Sequence, residues 1–148
     1  MTLLTRQACE AARWWAAPPM RGASKVVDDL ASWASEMMPD GYDVTASDAG
    51  VTISSGPPSF YHATIFVALT LREIEPPERS LELALQVFAI GFQNNMTRIM
   101  GEVWPEADAE PHYSVTSDEL HVWWGGKAEQ NASVRMPPIP RPDKHADA

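Results

Sequence analysis

The stretch Glu78–Met100, ERSLELALQVFAIGFQNNMTRIM, predicts the long helix on which the rest of the fold is built. Large apolar side chains recur along it at steps of three and four residues, the spacing of one helix face. The members of this stripe are Leu81, Leu85, Phe88, Phe92, Met96 and Ile99. Further apolar groups occupy much of the remaining circumference, at Leu83, Val87, Ala89 and Ile90. Because a helix that is apolar nearly all round needs cover on more than one side, we expect the first helix and a neighbouring subunit to supply it.

Upstream of the long helix, the sequence predicts one amphipathic helix and a β-hairpin. The helix runs from about Ser24 to Met38, and its apolar face consists of Val26, Leu30, Trp33 and Met37. Two short stretches, Tyr42–Ser47 and Gly50–Ser55, alternate small polar residues with apolar ones, as β-strands do. The turn between these two strands is predicted at Asp48-Ala49-Gly50.

The stretch Phe60–Glu73 carries the strongest alternating pattern of the chain and predicts a long β-strand. One of its faces is apolar, whereas the other, which includes His62, Phe66 and Arg72, is only half polar. An aromatic side chain on a partly polar strand face is a candidate for an interface between subunits. Phe66 is therefore predicted to contribute to such an interface.

The last third of the chain predicts a second hairpin, formed by His112–Thr116 and Leu120–Trp124, with an edge strand at Asn131–Met136. Trp123 and Trp124 are adjacent, and successive side chains of a strand point to opposite faces. One tryptophan is expected to enter the core. The other is expected to be exposed or covered by a partner, since tryptophan is enriched in protein interfaces.

Taken together, these elements predict an α+β domain, with helices on one face of a mostly antiparallel sheet in the order α-α-β-β-β-α-β-β and an optional last strand. Residues 1–21 are expected to form an N-terminal helical arm, residues 22–136 a single domain, and residues 137–148 a proline-rich polar tail. Trp14, beside Trp15 in the arm, joins the predicted interface residues. The full set is Trp14, Phe66, Val87, Ile90, Trp123 and Trp124.

Charge is spread unevenly along the 148 residues, which carry a formal net charge of −9. No lysine or arginine occurs between Lys25 and Arg72, or between Arg98 and Lys127, while acids recur in both intervals. Such a surface repels phosphate backbones, so specific nucleic-acid binding is not expected. No signal peptide or membrane-spanning stretch is recognisable, and cytosolic synthesis is expected.

The residue patterns of familiar catalytic and metal sites are missing from the sequence. The four histidines stand in different elements without the spacing of a zinc site, and Cys9 has no nearby histidine to activate it. The Gly125-Gly126-Lys127 sequence lacks the spacing and the following helix of a phosphate-binding loop. We therefore predict no catalytic residue, no cofactor and no metal, with an enzyme of unfamiliar type as the open alternative.

The element order over residues 24–125 resembles that of the tail terminator proteins of long-tailed bacteriophages, which form a ring that joins the tail tube to the head. This resemblance implies a homo-oligomeric ring that contacts neighbouring assembly proteins, an acidic lumen that lets DNA pass, and no enzymatic activity. Its location would be the host cytoplasm during synthesis and then the virion. The extra N-terminal helix and the proline-rich tail depart from that pattern.

A second resemblance, in size, acidity and element order, is to the small dimeric chaperones of type III secretion. It implies a dimer that binds unfolded segments of its client along its flanks. Those chaperones normally close with a third helix, where this chain has Gly125-Gly126, a possible strand and prolines. The two alternatives differ in oligomeric state, because one is a ring and the other is a dimer.

Overall fold

The two amphipathic stretches fold as helices at the predicted places in the computed structural model, which describes residues 23–57, 60–73 and 77–141. Helix α1 spans Ala23–Met37, and the long helix, α3, spans Pro77–Met100. The predicted N-terminal arm, with Trp14, lies outside the described residues, as does most of the predicted tail. The domain boundary at residue 21 and the course of residues 142–148 therefore stay predictions.

The first sheet is built from three antiparallel strands in sequence order. These strands are β1 (Tyr42–Ala46), β2 (Val51–Ser55) and β3 (His62–Ile65). The predicted hairpin is confirmed, with Val44 opposite Ile53 and the turn closed by the amide of Ser47, which donates to the Gly50 carbonyl at 2.7 Å. Val51, Ile53 and Ile65 turn their side chains into the core.

The prediction of one long strand over Phe60–Glu73 is wrong, because β3 stops at Ile65 and a helix, α2 (Val67–Glu73), follows. The partner strand sets this limit, since Ile65 pairs with Val51, the first residue of β2. Beyond that pair, β2 has no further residue that could pair with the next residues of the chain. The Ala68 amide instead donates to the Ala49 carbonyl at 3.1 Å, and later amides bond within the helix. Val67, Ala68 and Leu71 also fit helical spacing, and all three are buried.

The second sheet contains the predicted C-terminal hairpin and the strands that follow it. Its strands are β4 (Glu110–Val115), β5 (Glu119–Gly125), β6 (Ala132–Arg135) and β7 (Ile139–Pro140). Both β6 and β7 pair with the side of β5 that β4 leaves open. The α+β class and the element order are confirmed, but the strands divide into two antiparallel sheets instead of one.

The chain after β6 stays against β5 and does not leave the domain at Pro137. The Met136 amide donates to the Val122 carbonyl at 3.0 Å, and Ile139 pairs with Leu120. Met136 and Ile139 are both buried. The other residues of this edge segment are prolines, at positions 137, 138 and 140. Because proline lacks an amide proton, these residues discourage another strand from pairing there.

The second sheet and both long helices meet in a cluster of aromatic side chains centred on Trp124. Its ring stacks on Trp33 of α1, with centroids 5.4 Å apart and planes inclined by 4°. Its indole Nε1 donates to the carbonyl of Ala89 in α3 at 2.9 Å. Phe92 of α3 and Trp104 pack against it with centroid distances of 5.7 and 5.3 Å. A single side chain from β5 thus joins both long helices to the second sheet.

Gly50 fixes the junction between the first hairpin and α2. A Cβ atom at this position would clash with the backbone carbonyl of Ile65 and lie 2.7 Å from the backbone nitrogen of Val67. Both obstacles are main-chain atoms that cannot rotate away. The Ala49 carbonyl can accept a hydrogen bond from the Ala68 amide only if the two backbone segments approach closely. This approach requires glycine at position 50.

We predict that Gly50→Ala lowers the free energy of unfolding by about 2–4 kcal/mol, because the added methyl group forces two backbone segments apart. Urea denaturation followed by tryptophan fluorescence measures this change. Gly56→Ala is the matched control, since a Cβ there would have nothing within 4 Å. Equal destabilisation by the two substitutions would contradict the proposed role of the junction.

Candidate functional site

The two adjacent tryptophans, predicted to divide between core and surface, are both buried by the chain itself. Trp124 is 0% exposed and Trp123 is 7% exposed. The Trp123 ring stacks on His112 at a centroid distance of 5.5 Å, and its Nε1 donates to the Gly126 carbonyl at 3.0 Å. The expectation that one of them is exposed or needs a partner is therefore wrong. Its cover comes from the neighbouring strand and from the turn after Gly125.

The outer side of α3 retains apolar side chains that the domain does not bury. Ile90 is 42% exposed, and Leu83 and Val87 are half-buried, with Val87 packed in part against the core. These three residues stand at steps of four and three, so they form one row along the helix, opposite the buried stripe. We call this row, Leu83, Val87 and Ile90, the α3 outer row. It contains two of the six predicted interface residues.

Phe66 is 53% exposed and lies at the junction between β3 and α2. Its neighbour Ile65 packs against α3 at Gly91, where a Cβ atom would lie 2.9 Å from the Ile65 side chain. Ile90 immediately precedes Gly91 in α3. Phe66 and Ile90 are thus each the sequence neighbour of a residue in this contact between β3 and α3.

A groove lies between α1 and the segment that follows β6, with a volume of about 290 Å³. Trp33, which is half-buried, lies in its wall, and Asp29 and Glu36 are its two acids. The remaining lining residues are Ser32, Met136, Pro137, Pro138 and Ile139. The groove thus combines an indole, apolar walls and negative charge.

The described histidines serve separate local contacts. His112 stacks on Trp123, and His62 is exposed at the start of β3. Nδ1 of His121 lies 3.2 Å from a carboxylate oxygen of Glu129, and its Nε2 lies 3.5 Å from one of Glu119. Among residues 23–57, 60–73 and 77–141, no group of three or more histidine, cysteine or acidic side chains is placed to hold a metal ion.

Tyr61 forms a polar contact between β3 and α3. Its hydroxyl donates to the side-chain oxygen of Asn95, and its ring packs edge-on against Tyr42 at 5.9 Å. Burial raises the pKa of the Tyr61 phenol above its usual value, and the nearby Arg98 partly offsets the rise. A raised pKa keeps the phenol protonated and able to donate. The Asn95 amide in turn donates to the Gly91 carbonyl at 2.7 Å, so this group ties the strand to the helix.

The chain matches no known family model, no curated protein and no solved structure. None of the helices in the described part is long and apolar enough to cross a membrane. The function is therefore argued from two features of this structure. They are the α3 outer row with Phe66, and the groove beside Trp33.

The sequence does not predict the groove, because it predicts a proline-rich tail over residues 137–148. One signal for it exists, since Ile139 is an isolated large apolar residue between prolines. An apolar residue in such a setting indicates that the segment returns to the domain. Ile139 is 4% exposed in the structure.

We predict that glutamate strongly destabilises the protein at one of the predicted interface positions and has almost no effect on stability at another. Trp123→Glu should cost about 3 kcal/mol or more, because it buries a charge and empties an aromatic site. Phe66→Glu should change the free energy of unfolding by less than about 0.5 kcal/mol, since Phe66 is already in contact with water. Urea denaturation at micromolar concentration measures both values. Similar losses in the two variants would show that the assigned burial is wrong.

Proposed function

We propose that this chain is a non-enzymatic structural protein that assembles with copies of itself through the α3 outer row and Phe66. The observation that carries this proposal is the exposure of Ile90 at the C-terminal end of that row. Single exposed apolar residues are common on protein surfaces. Three apolar residues in one row on a regular helix, together with the exposed Phe66 before α2, would supply the apolar core of an interface.

The charge distribution supports assembly around a path for nucleic acid without specific binding to it. Long parts of the chain carry acids and no lysine or arginine, notably between Lys25 and Arg72. Surfaces of this kind do not displace the counterions of DNA, so DNA would slide past them. An interface made of apolar residues also lets strongly acidic copies associate in spite of their mutual repulsion.

The finer part of the proposal is a ring at the junction of head and tail in a bacteriophage, as the resemblance to tail terminator proteins implies. Ring closure needs a contact between two different surfaces of each copy. The α3 outer row and Phe66 would form one of these surfaces. Neighbouring assembly proteins would be the other partners, and the virion would be the final location.

No enzymatic role is proposed, because the described polar groups are engaged in local structure. Tyr61 joins a strand to a helix, His112 covers Trp123, and His121 lies between two carboxylates at the end of the second sheet. They stand in separate contacts. Within the described residues these three groups share no contact with one another, so they do not form the combined acid, base and nucleophile that catalysis would require.

Substitution of the exposed residue of the row, Ile90, tests the proposal. In sedimentation velocity, the unaltered protein should form a species of several copies at micromolar to tens of micromolar concentration. Ile90→Glu should raise the association midpoint by tenfold or more, because each interface would then bury a charge, which costs about 1.4 kcal/mol or more. Circular dichroism should stay unchanged, since the residue is exposed.

Gln130→Glu is the matched control, because it adds the same charge at an exposed position in another part of the domain. It should leave the association midpoint within about twofold. A monodisperse monomer of the unaltered protein at high micromolar concentration would contradict the proposal. A dimer that co-purifies with an unfolded client would favour the chaperone alternative instead.

A further inference from the structure

The groove beside Trp33 has the size of a site for one large side chain. Its volume is about 290 Å³, whereas pockets for small molecules and cofactors measure roughly 300–1,000 Å³. Asp29, Trp33 and Glu36 stand at steps of four and three on α1, so they share one face of the helix. The opposite wall is the segment from Met136 to Ile139, which holds buried apolar residues behind exposed prolines.

The electrostatics of the groove define the charge of its occupant. Asp29 is paired with Lys25, whose Nζ lies 3.1 Å from its carboxylate, but the lysine side chain is mostly exposed. Glu36 is exposed and makes no ion pair with any residue of the described ranges. The groove therefore suits an aromatic side chain next to a positive charge. The aromatic ring would contact Trp33, and the cation would meet Glu36.

The segment before α1 carries this combination of residues. Residues 1–22 contain Trp14 and Trp15 immediately after Arg13, with three arginines and only one acid in the whole segment. This excess of positive charge contrasts with the acidic remainder of the chain. The sequence from residue 23 to residue 71 holds only one basic residue, Lys25. The segment thus offers the positive charge and the aromatic side chain that suit the groove.

The distances allow the segment to reach the groove of its own chain. Trp33 lies about 15 Å from Ala23 along the axis of α1, and Glu36 lies about 20 Å from it. The eight residues from Trp15 to Ala23 span up to about 26 Å when extended. The tether also keeps the segment close to the groove, which favours binding within one molecule.

From these observations we infer that the groove binds residues 1–22 of the same chain. Trp14 or Trp15 lies against Trp33, and Arg13 pairs with Glu36. This contact holds the arm along α1 and covers the exposed part of Trp33. The inference is independent of the proposed assembly, because it uses another face of the domain and a contact within one molecule.

Cys9, the only cysteine of the chain, provides a single attachment point for a test on the full-length protein. A benzophenone attached to this thiol through a maleimide is photoactivated, and the cross-linked peptides are identified by mass spectrometry. The expected cross-links join the arm to residues 29–36 and 136–139. Mixing isotopically heavy and light copies before irradiation shows whether the two peptides come from one molecule.

Two variants sharpen this test. The double substitution Trp14→Ser with Trp15→Ser should abolish the groove cross-links. Glu36→Lys should reduce their yield by about threefold to tenfold, because it replaces an exposed attraction by repulsion. Glu102→Lys is the matched control, since Glu102 is an exposed acid outside the groove lining, and it should leave the yield unchanged.

Cross-links spread evenly over the surface, or an equal yield from Glu36→Lys and from the control, would overturn the inference. Cross-links that join heavy to light copies would also overturn it, because they would place the arm on another molecule. Sedimentation of the same labelled sample reports assembly through the α3 outer row separately. If the groove cross-links are absent but the protein assembles, only the arm contact is rejected. If the groove cross-links are present but the protein stays monomeric, only the proposed function is rejected.

Discussion

The stacking of Trp124 on Trp33 is the interaction on which the arrangement of this domain depends. One face of the Trp124 ring meets α1, its edge meets Phe92 and Trp104, and its indole nitrogen donates to a carbonyl of α3. Three elements from distant parts of the sequence are thereby held by one side chain of β5. Removing a buried tryptophan typically costs about 3–5 kcal/mol, a large part of the stability of a domain of this size.

This central contact determines which surfaces remain for partners. Because α3 turns Phe88 and Phe92 toward the cluster, the opposite side of the helix is covered only in part, and Ile90 on that side is exposed. Because Trp33 lies at the outer limit of the cluster, its exposed part forms a wall of the groove on α1. The edge of β5 that would otherwise invite strand pairing is occupied by β6 and β7, and the prolines at 137, 138 and 140 discourage further addition. The proposed assembly would therefore use helix surfaces rather than this edge of the sheet.

The sequence predicts those parts of the fold whose residues act locally, and it fails where distant residues decide. Both long helices and both hairpins follow from apolar spacing and turn residues. The strand predicted over Phe60–Glu73 is too long, because its end is set by the length of β2 and by a main-chain contact at Gly50. The exposure expected for one tryptophan is absent, because His112 on the paired strand covers Trp123. Phe66 and Ile90 are exposed in the structure, although Phe66 stands before α2 and not on a strand face, and their role in an interface stays a prediction. The groove could not be predicted locally, because it is formed by two segments from opposite ends of the chain.

The central claim is that the exposed apolar surface of α3 exists to join copies of this chain into a closed assembly. Native mass spectrometry of the unaltered protein tests it most directly, because it counts the copies of the 16.3 kDa chain in each complex. The account predicts one dominant stoichiometry larger than a dimer, with no bound client and no continuous series of sizes, as ring closure requires. A spectrum that contains only monomers at tens of micromolar protein would contradict it.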